Sequence, residues 1–489
     1  MFRWLIPLLL MTLPCYGSWL VADESARLSP QPHPNNNAAG DLLLDGLIPN
    51  IAPTDELGWE AQIMRAKLLA EWGNRAQAIR ILEALLAKNP QDPEALMLLA
   101  ALYLEQNQRT QLEALLPNLQ TIPDLQPIAL YLEGRIALWR NRAGQARSRF
   151  ESALQLTNAN DSLYPTLLFY RGYTQELLGR TAEVDEAIAH ALAAGFRAHE
   201  ALERTILARY YLRNKQPSKA IHLLERGLDQ QTLADPHYLK LIADSYFAAN
   251  LSTLALDSYS AAISAGSKDP NVYAKRGHLQ RRKGNLVMAW KDFEQAIKLG
   301  AEDAALFLAA GINGLETGQI EAASHYLASA SDGLPKHATV HYLAAFGHYL
   351  TSDWKNASLR LERLNTSAHP LADERNLLAT FIQLRASAEK AGKEDLSRLD
   401  GIAGVDTVPA LMRDIMTGKT DPDQALNTVA TPAGERKGKA ACALAFWLGE
   451  WHLTQGRQAK SRSYFDKAIA LGNPDFLEYQ AAHWRLQQQ

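Results

Sequence analysis

The stretch YAKRGHLQRRKGNLVMAWKDFEQAIKLGAED, residues 273–303, carries small and aromatic residues at fixed intervals. A glycine is followed by a second glycine seven residues later, an alanine after five more, a phenylalanine after four and an alanine after three. These residues are Gly277, Gly284, Ala289, Phe293 and Ala296. Helical periodicity places the first glycine on one helix and the last three residues on one face of a second helix, with Gly284 in the turn. The spacing therefore predicts a helical hairpin whose helices approach closely at the small residues.

The same spacing recurs along the chain, for example in RAKLLAEWGNRAQAIRILEALLAKNP (residues 65–90) and EGRIALWRNRAGQARSRFESAL (residues 133–154). Weaker copies start near Pro93 and Ala338. One hairpin cannot bury its apolar face alone, so the copies are expected to stack on one another. The small residues that mark the first helices of further copies are Ala66, Gly134, Gly172, Ala208, Ala243, Gly311 and Gly449.

Four successive markers of this kind, from Ala243 to Ala345, lie 34 residues apart. This period, with small and aromatic residues at these places, resembles the tetratricopeptide repeat. The resemblance covers most of residues 59–370 and again about 440–474. It implies an all-α chain that folds as a right-handed α-α superhelical solenoid of tetratricopeptide-like helical hairpins. The tryptophan typical of the first helix is mostly replaced, in one copy by Tyr273.

The N-terminus, MFRWLIPLLLMTLPCYGSWL, has the three-part layout of a secretory signal peptide. Arg3 precedes a short apolar core over residues 4–13, and small residues follow. We expect cleavage after Gly17 and export, with the bacterial periplasm as the expected compartment, so the chain resembles tetratricopeptide proteins of the exported bacterial type. A lipid anchor on Cys15 and an uncleaved N-terminal membrane anchor are the alternatives.

Composition excludes several other classes of protein. Hydrophobic residues make up 47% of the 489 residues and charged residues 21%, which is typical of a globular chain. The net charge of -3 is too small for a nucleic-acid partner to be expected. Two cysteines are too few for a disulfide framework or a cysteine metal site. No internal apolar run approaches the ~18 residues that span a bilayer, so we expect no integral span after signal removal.

Shifts in composition and in repeat phase divide the chain into five predicted segments. The stretch SPQPHPNNNAAG is rich in proline and asparagine and is typical of a tether. The repeat phase is lost after the ninth copy and returns near the C-terminus. The predicted segments are a signal peptide (1–17), a disordered linker or tether (18–55), the solenoid (56–370), an irregular helical insert (371–439) and a last repeat with a C-terminal capping helix (440–489).

Two short motifs look like chemical sites but lack essential residues. His199 and Glu203 lie one helical turn apart, as in a zinc protease, but a second histidine would have to stand where Glu203 is. The TGKT at residues 417–420 resembles a phosphate-binding loop, but Arg413 occupies the place of a required glycine. We therefore interpret both as helix-surface or loop sequence.

Two further candidates also have a structural interpretation. His337, His341 and His348 can share a helix face, but in the repeat register the last two take places of large core residues, so we interpret them as packing groups. Cys442 has no histidine or aspartate arrangement nearby that would make it a nucleophile, and a buried thiol is expected. We predict no catalytic residues, no cofactor and no metal ion, and therefore no enzyme activity.

The candidate binding site comes from the family resemblance. In tetratricopeptide proteins the second, fifth, ninth, twelfth and thirteenth residues of each first helix line an inner groove. Carried onto this sequence, these places form a groove with an aromatic start, a basic middle and a second aromatic region at Tyr342, Phe346 and Tyr349. The predicted partner-binding residues are Tyr131, Arg135, Phe169, Tyr173, Arg209, Arg213, Lys240, Asp244, His278 and Arg281.

These features together predict a non-enzymatic scaffold or adaptor of the bacterial cell envelope. Its expected partner is a protein or an extended peptide, and the basic stripe favours an acidic one. The carboxylate clamp of chaperone-binding relatives is not matched, since Lys240 is followed by Asp244 where that clamp has asparagine. Neither the identity of the partner nor the oligomeric state follows from the sequence.

Two alternatives remain at the level of sequence. One is a scaffold for exopolysaccharide synthesis and export, which would work with a separate pore. The other is a direct glycan-binding protein in which groove aromatics stack on sugar rings. Its stacking residues would be Tyr131, Trp139, Phe169 and Tyr173.

Overall fold

The computed structural model describes residues 56–364, 371–389, 396–403, 407–430, 435–474 and 476–488. Over these ranges the chain is all-helical, with consecutive helices packed as hairpins, which confirms the predicted fold class. The predicted signal peptide and linker lie outside the described residues. None of the described helices is both long and apolar enough to cross a membrane.

The chain divides into two compact units, and unit 1 ends at Gly227. It contains five hairpins, each a first helix and a second helix joined by a short turn. The helices are α1 (Glu56–Glu71), α2 (Arg75–Lys88), α3 (Pro93–Glu105), α4 (Arg109–Gln120), α5 (Gln126–Trp139), α6 (Ala143–Gln155), α7 (Tyr164–Leu177), α8 (Thr181–Ala193), α9 (Ala201–Arg213) and α10 (Pro217–Glu225).

Unit 2 begins at Leu228 and contains hairpins α12–α13, α14–α15, α16–α17, α18–α19 and α23–α24. Its helices are α11 (Gln230–Leu233), α12 (Pro236–Ala248), α13 (Ser252–Ser264), α14 (Pro270–Arg282), α15 (Leu286–Lys298), α16 (Ala304–Glu316), α17 (Ile320–Gly333), α18 (Ala338–Leu350), α19 (Trp354–Glu362), α20 (Ala372–Glu389), α21 (Val408–Met416), α22 (Pro422–Ala430), α23 (Glu435–Thr454), α24 (Gln458–Leu471) and α25 (Leu477–Gln488).

The α14–α15 hairpin shows why the spacing dictates the fold. Gly277 faces Phe293 so closely that an added Cβ atom would lie 2.8 Å from the phenylalanine ring. Phe293 and its neighbours Ala289 and Ala296 have no exposed surface. Burial of one phenylalanine side chain contributes about 1.5–3 kcal/mol to the free energy of unfolding. The close approach of the two helices at Gly277 excludes water from the Phe293 ring. Gly284 has a φ of +79°, the left-handed conformation that glycine adopts at the end of a helix.

The region where the repeat phase is lost is still helical where it is described. The region contains the two short helices α21 and α22. Helix α20 packs against α18 and α19, and both α21 and α22 pack against α23. The region therefore contributes to the apolar core of unit 2 and leads back into the last hairpin.

Candidate functional site

The inner face of unit 1 is formed by the groove positions of α5, α7 and α9, and part of it is buried. Arg135 is only 3% exposed. Its guanidinium donates to both carboxylate oxygens of Glu200, at 3.0 and 2.7 Å, and to the Tyr131 hydroxyl at 2.8 Å. It also lies 4.5 Å from the ring centroid of Tyr170. Tyr131 and Arg135 are therefore joined in an internal network that ties α5 to the start of α9.

A second part of this network begins α9. The Tyr170 hydroxyl donates to Glu203 Oε1 at 2.8 Å, and Oε2 accepts the backbone N–H groups of His199 and Glu200 at 2.8 and 3.2 Å. Burial, together with the charge of Glu200, raises the pKa of Glu203. The His199–Glu203 pair is thus a helix-capping arrangement. Glu203 is buried, so its interpretation as a helix-surface residue was wrong.

Phe169 is a correction to the predicted groove. Its side chain has no exposed surface and stacks on Phe196, with ring centroids 4.0 Å apart and planes 9° from parallel. The ring fills the space between α7 and the loop before α9, so it packs inside the unit and does not line a groove. Tyr173, one turn further along α7, is half-buried and keeps part of its ring accessible.

Two exposed leucines extend the accessible part of this face. Leu177 and Leu202 occupy groove positions of α7 and α9 and are 49% and 37% exposed. The sequence prediction missed them because it selected aromatic and charged residues, although the same register marks their positions. Together with Tyr173, these accessible apolar groove positions are called the inner apolar strip of unit 1.

The cations beside this strip are already paired. Arg209 lies 3.1 Å from Glu176, and Arg213 lies 2.7 Å from Asp185. Because both partners belong to the same unit, an acidic ligand would have to compete with them for each guanidinium. The basic character expected from the sequence is therefore largely neutralised here.

In unit 2 the inner face of α12 and α14 carries a ladder of opposite charges. Lys240 lies 3.2 Å from Asp244 and 3.5 Å from Asp269, and Lys275 lies 2.7 Å from Asp244. The Tyr259 hydroxyl also donates to Asp244, at 2.6 Å. Burial alone would raise the pKa of Asp244, but the adjacent Lys275 and the other donors outweigh it and lower the pKa. Asp244 is thus the anionic centre of the ladder.

The next predicted residues lie further along the same face. Arg281 forms a two-pronged pair with Glu316 of α16, with distances of 2.6 and 3.2 Å. His278 is exposed, but one side of its ring lies against Phe293, with centroids 5.0 Å apart. Loss of water on that side, together with the charge of Arg281, lowers the pKa of His278. The structure therefore brings Lys240, Asp244, His278 and Arg281 to one polar surface.

The second aromatic region of the predicted groove is closed by the C-terminal helix. Helix α25 packs against α23 and α24 and also against α16. Phe346 and Tyr349 are buried in the same apolar cluster as Trp484 of α25, and Tyr342 packs against that cluster. These aromatics are therefore core residues, contrary to the prediction that they line an open groove.

A buried ion pair anchors α25. Arg485 donates to Glu450 Oε1 at 2.6 Å and to the Leu350 carbonyl at 3.0 Å. The Tyr349 hydroxyl donates to the other oxygen of Glu450. Glu450 has no exposed surface, so its charge depends entirely on these donors.

The remaining chemical candidates are structural. His341 is 1% exposed, with its Nε2 3.0 Å from the Pro335 carbonyl, which confirms it as a packing group. Cys442 is buried, and burial raises the pKa of its thiol to about 12. Within the described ranges no group of three or more histidine, cysteine, aspartate or glutamate residues could hold a metal ion.

Comparison with known protein families finds tetratricopeptide repeats in two segments of the chain. A tetratricopeptide repeat family model matches residues 69–116, and a second one matches residues 207–270. Both segments are therefore similar to tetratricopeptide repeats, and proteins of this family are typically non-enzymatic scaffolds for protein interactions. Among curated proteins, none matches this sequence.

Solved structures with a similar fold include YrrB, a tetratricopeptide protein with an unusual peptide-binding site, at 16% identity and a TM-score of 0.30, covering 34% of this chain and 84% of YrrB. PilF of Pseudomonas aeruginosa matches at 15% identity and a TM-score of 0.35, covering 44% and 95%. PilW, a type IV pilus biogenesis factor, matches at 15% identity and a TM-score of 0.33, covering 43% and 94%. TM-scores this low establish no common arrangement of the repeats and nothing about partners.

Proposed function

We propose that this protein is an exported, non-enzymatic scaffold of the bacterial cell envelope, most specifically of the periplasm, and that it binds a partner segment on the inner face of its first helices. The observation that carries the proposal is the inner apolar strip of unit 1, formed by Tyr173, Leu177 and Leu202. These side chains lie at groove positions and remain accessible although their neighbours are well packed. Exposed apolar side chains in a groove are covered favourably by a partner.

The charges around the strip indicate which chemistry the partner segment should have. Arg209 and Arg213 already have acidic partners. A purely acidic segment would gain little from them, whereas a segment with apolar side chains would bury Leu177 and Leu202. The proposed partner is therefore a protein segment with apolar anchors, and its binding should depend only weakly on salt.

Site-specific photo-crosslinking in intact cells tests this surface. A photoreactive phenylalanine analogue at Tyr173 should give discrete adducts with a partner protein. The matched control places the same analogue at Glu183, an exposed residue on the second helix of the same hairpin. Changing Leu177 and Leu202 to aspartate should remove the Tyr173 adducts. Identical adducts from both positions would count against an inner-face site.

Export is tested separately. Residues 1–55 fused to an alkaline phosphatase without its own signal should give an active enzyme, because that enzyme matures only in an oxidising compartment. The matched control replaces Leu8, Leu9 and Leu10 in the apolar core by aspartate. Activity in the control equal to that of the parent fusion would contradict export through this segment.

The alternatives predict different outcomes. A glycan binder would need exposed aromatic platforms, but Phe169 has no exposed surface and Tyr131 is only 9% exposed. Half-buried Trp139, with the Arg109 guanidinium 5.2 Å from its ring centroid, and Tyr173 are what remains for stacking. An exopolysaccharide scaffold would be recognised by the identity of the crosslinked partner, which would belong to the synthesis or export machinery.

A further inference from the structure

Two consecutive hairpins of unit 2 expose large apolar side chains where each turns from its first to its second helix. Leu251 and Leu254 are 44% and 45% exposed at the α12–α13 turn, and Val287 and Met288 are 61% and 46% exposed at the α14–α15 turn. Because the hairpins are adjacent copies of one repeat, these turns lie along the same edge. The four residues are called the turn-edge patch.

The other hairpins provide an internal control for Leu251, which is the N-cap residue of α13. Leucine is among the poorest residues at this position because it cannot accept a backbone N–H group. Asp353 has nearly the same backbone angles, -90° and 71° against -84° and 71°, and it accepts the Asn356 N–H at 3.2 Å. Among the other second helices only Asp353 makes a side-chain cap bond, but all their N-cap residues are polar: Asn74, Gln108, Arg142, Arg180, Gln216, Asn285, Gln319, Asp353 and Arg457.

The other patch residues show the same contrast. Val287 and Met288 are the second and third residues of α15, and Leu254 is the third of α13. These positions need no large apolar residue for the fold, because other hairpins fill them with polar or small side chains. The equivalent pairs include Ala76 and Gln77, Thr110 and Gln111, Gly144 and Gln145, Ser218 and Lys219, Glu321 and Ala322, and Lys355 and Asn356.

The charges that face the patch are mostly positive. Arg282 ends α14, Lys283 follows it in the turn before α15, and Lys291 lies one helical turn after Met288; all three are exposed. Unlike the inner-face cations, none of them forms an ion pair with a described residue of the protein. Exposed acids lie at the two adjoining hairpins, Asp257 on α13 and Glu321 on α17. The patch is therefore apolar with unpaired cations beside it.

We propose that the turn-edge patch docks this protein onto an anionic lipid surface. At the boundary between headgroups and acyl chains, apolar side chains leave water while lysine and arginine reach the phosphates at nearly the same depth. Juxtaposed unpaired cations add attraction to an anionic leaflet. This inference goes beyond the proposed scaffold function, because it concerns the turn edge and second helices rather than the inner face.

Vesicle flotation of the full chain tests the proposal. One vesicle preparation contains equal parts of phosphatidylglycerol and phosphatidylcholine, and the other contains phosphatidylcholine alone. The chain should partition more strongly onto the anionic vesicles. The apolar N-terminal stretch can add binding to both preparations, so the readout is the difference between them and between variants.

Three variants should lower partitioning onto the anionic vesicles. Arg282→Glu with Lys283→Glu should reduce it by at least about fivefold for each cation. Val287→Asp with Met288→Asp should remove the dependence on lipid composition, and Leu251→Asp should reduce binding while supplying a better helix cap. The matched control is Leu359→Asp, since Leu359 is also 46% exposed but lies on α19, outside the patch.

Equal partitioning of the parent chain onto both vesicle types would overturn the proposal. It would also be overturned if the Leu359→Asp control lost as much binding to the anionic vesicles as the patch variants. Unchanged binding of Leu251→Asp, which is expected to remain folded, would have the same consequence. Retention of an acidic protein by the patch, without vesicle binding, would assign the surface to a protein instead. None of these results bears on the Tyr173 crosslinks, so the two proposals fail independently.

Discussion

Each unit contains a buried arginine that is paired with a glutamate and lies close to a tyrosine ring, but the two sites do different work. In unit 1, Arg135 joins α5 to the start of α9, and its partner Glu200 keeps 36% of its side chain exposed. In unit 2, Arg485 joins the C-terminal helix to Glu450, which has no exposed surface. The first pair links two repeats that are separated by the α7–α8 hairpin, whereas the second holds a non-repeating helix in place.

The exposure of the glutamate determines how much stability is lost when its arginine is removed. A carboxylate that can reach water recovers hydration when its arginine is removed. A carboxylate without exposure cannot, so its charge is left in a medium of low polarity. The stability of unit 2 should therefore be more sensitive to a single substitution than that of unit 1.

The largest expected effect comes from Arg485→Met. Loss of the cation strands Glu450 and should cost about 3–5 kcal/mol of the free energy of unfolding. Hydrogen exchange measured by mass spectrometry should show reduced protection in peptides from α18, α23 and α25. The double variant Arg485→Met with Glu450→Gln should recover much of the loss, because it no longer buries an unpaired charge.

The equivalent change in unit 1, Arg135→Met, should have a smaller effect. It leaves the Tyr131 hydroxyl and part of Glu200 without a donor, which should cost about 1–3 kcal/mol. Protection should fall in peptides from α5 and α9. The control Arg140→Met removes the exposed pair with Glu113 and should cost less than about 1 kcal/mol. A loss for Arg135→Met that exceeds the loss for Arg485→Met would reverse the comparison.

Acidification should also lower the free energy of unfolding of unit 2 more than that of unit 1. Burial is the main cause of a lowered pKa for His199 in unit 1 and for His278, His348 and His452 in unit 2. The unfolded chain takes up these protons near pH 6.5 while the folded chain resists them, so the free energy of unfolding should fall as the pH drops below about 6.5.

The pH comparison uses protection factors at about pH 7.5 and about pH 5.5, which correct for intrinsic exchange rates. Each unit also has a glutamate whose pKa is raised by loss of water around its carboxyl group, Glu203 and Glu478, and acid relieves the unfavourable charge. These two carboxyl groups oppose the histidine effect in both units. Replacing His348 and His452 by glutamine should bring the pH responses of the units closer together, and an unchanged difference would contradict the histidine origin.

The smallest expected effect is a gain. Leu251→Asp should reproduce the cap that Asp353 makes at α19 and raise stability by about 0.5–1 kcal/mol. The urea midpoint should rise, and protection should increase at the start of α13. The reciprocal change, Asp353→Leu, should lower stability by a similar amount. A fall in stability for Leu251→Asp would mean that the leucine contributes to folding, which the docking proposal does not allow.

Opposite charges about one repeat apart on the inner face were visible in the sequence but were not recognised as pairs. Arg281 and Glu316 lie 35 residues apart, and Glu176 and Arg209 lie 33 apart. Because adjacent first helices are neighbours, residues separated by about one period can meet across them. Lys240 and Arg281 were predicted as groove cations, but the ion pairs that neutralise them were missed.

The sequence alone determined the helical hairpin, because that information is local and is repeated. A small residue opposite Phe293, and a glycine in the turn, are enough to specify how two helices meet, and the 34-residue period extends the rule along the chain. Tertiary structure decided which groove positions stay open. Arg485 reaches a carbonyl 135 residues away at Leu350, and Tyr349 meets Glu450 across 101 residues. These separations follow no period, so only packing of the whole unit could show that α25 closes the second aromatic region.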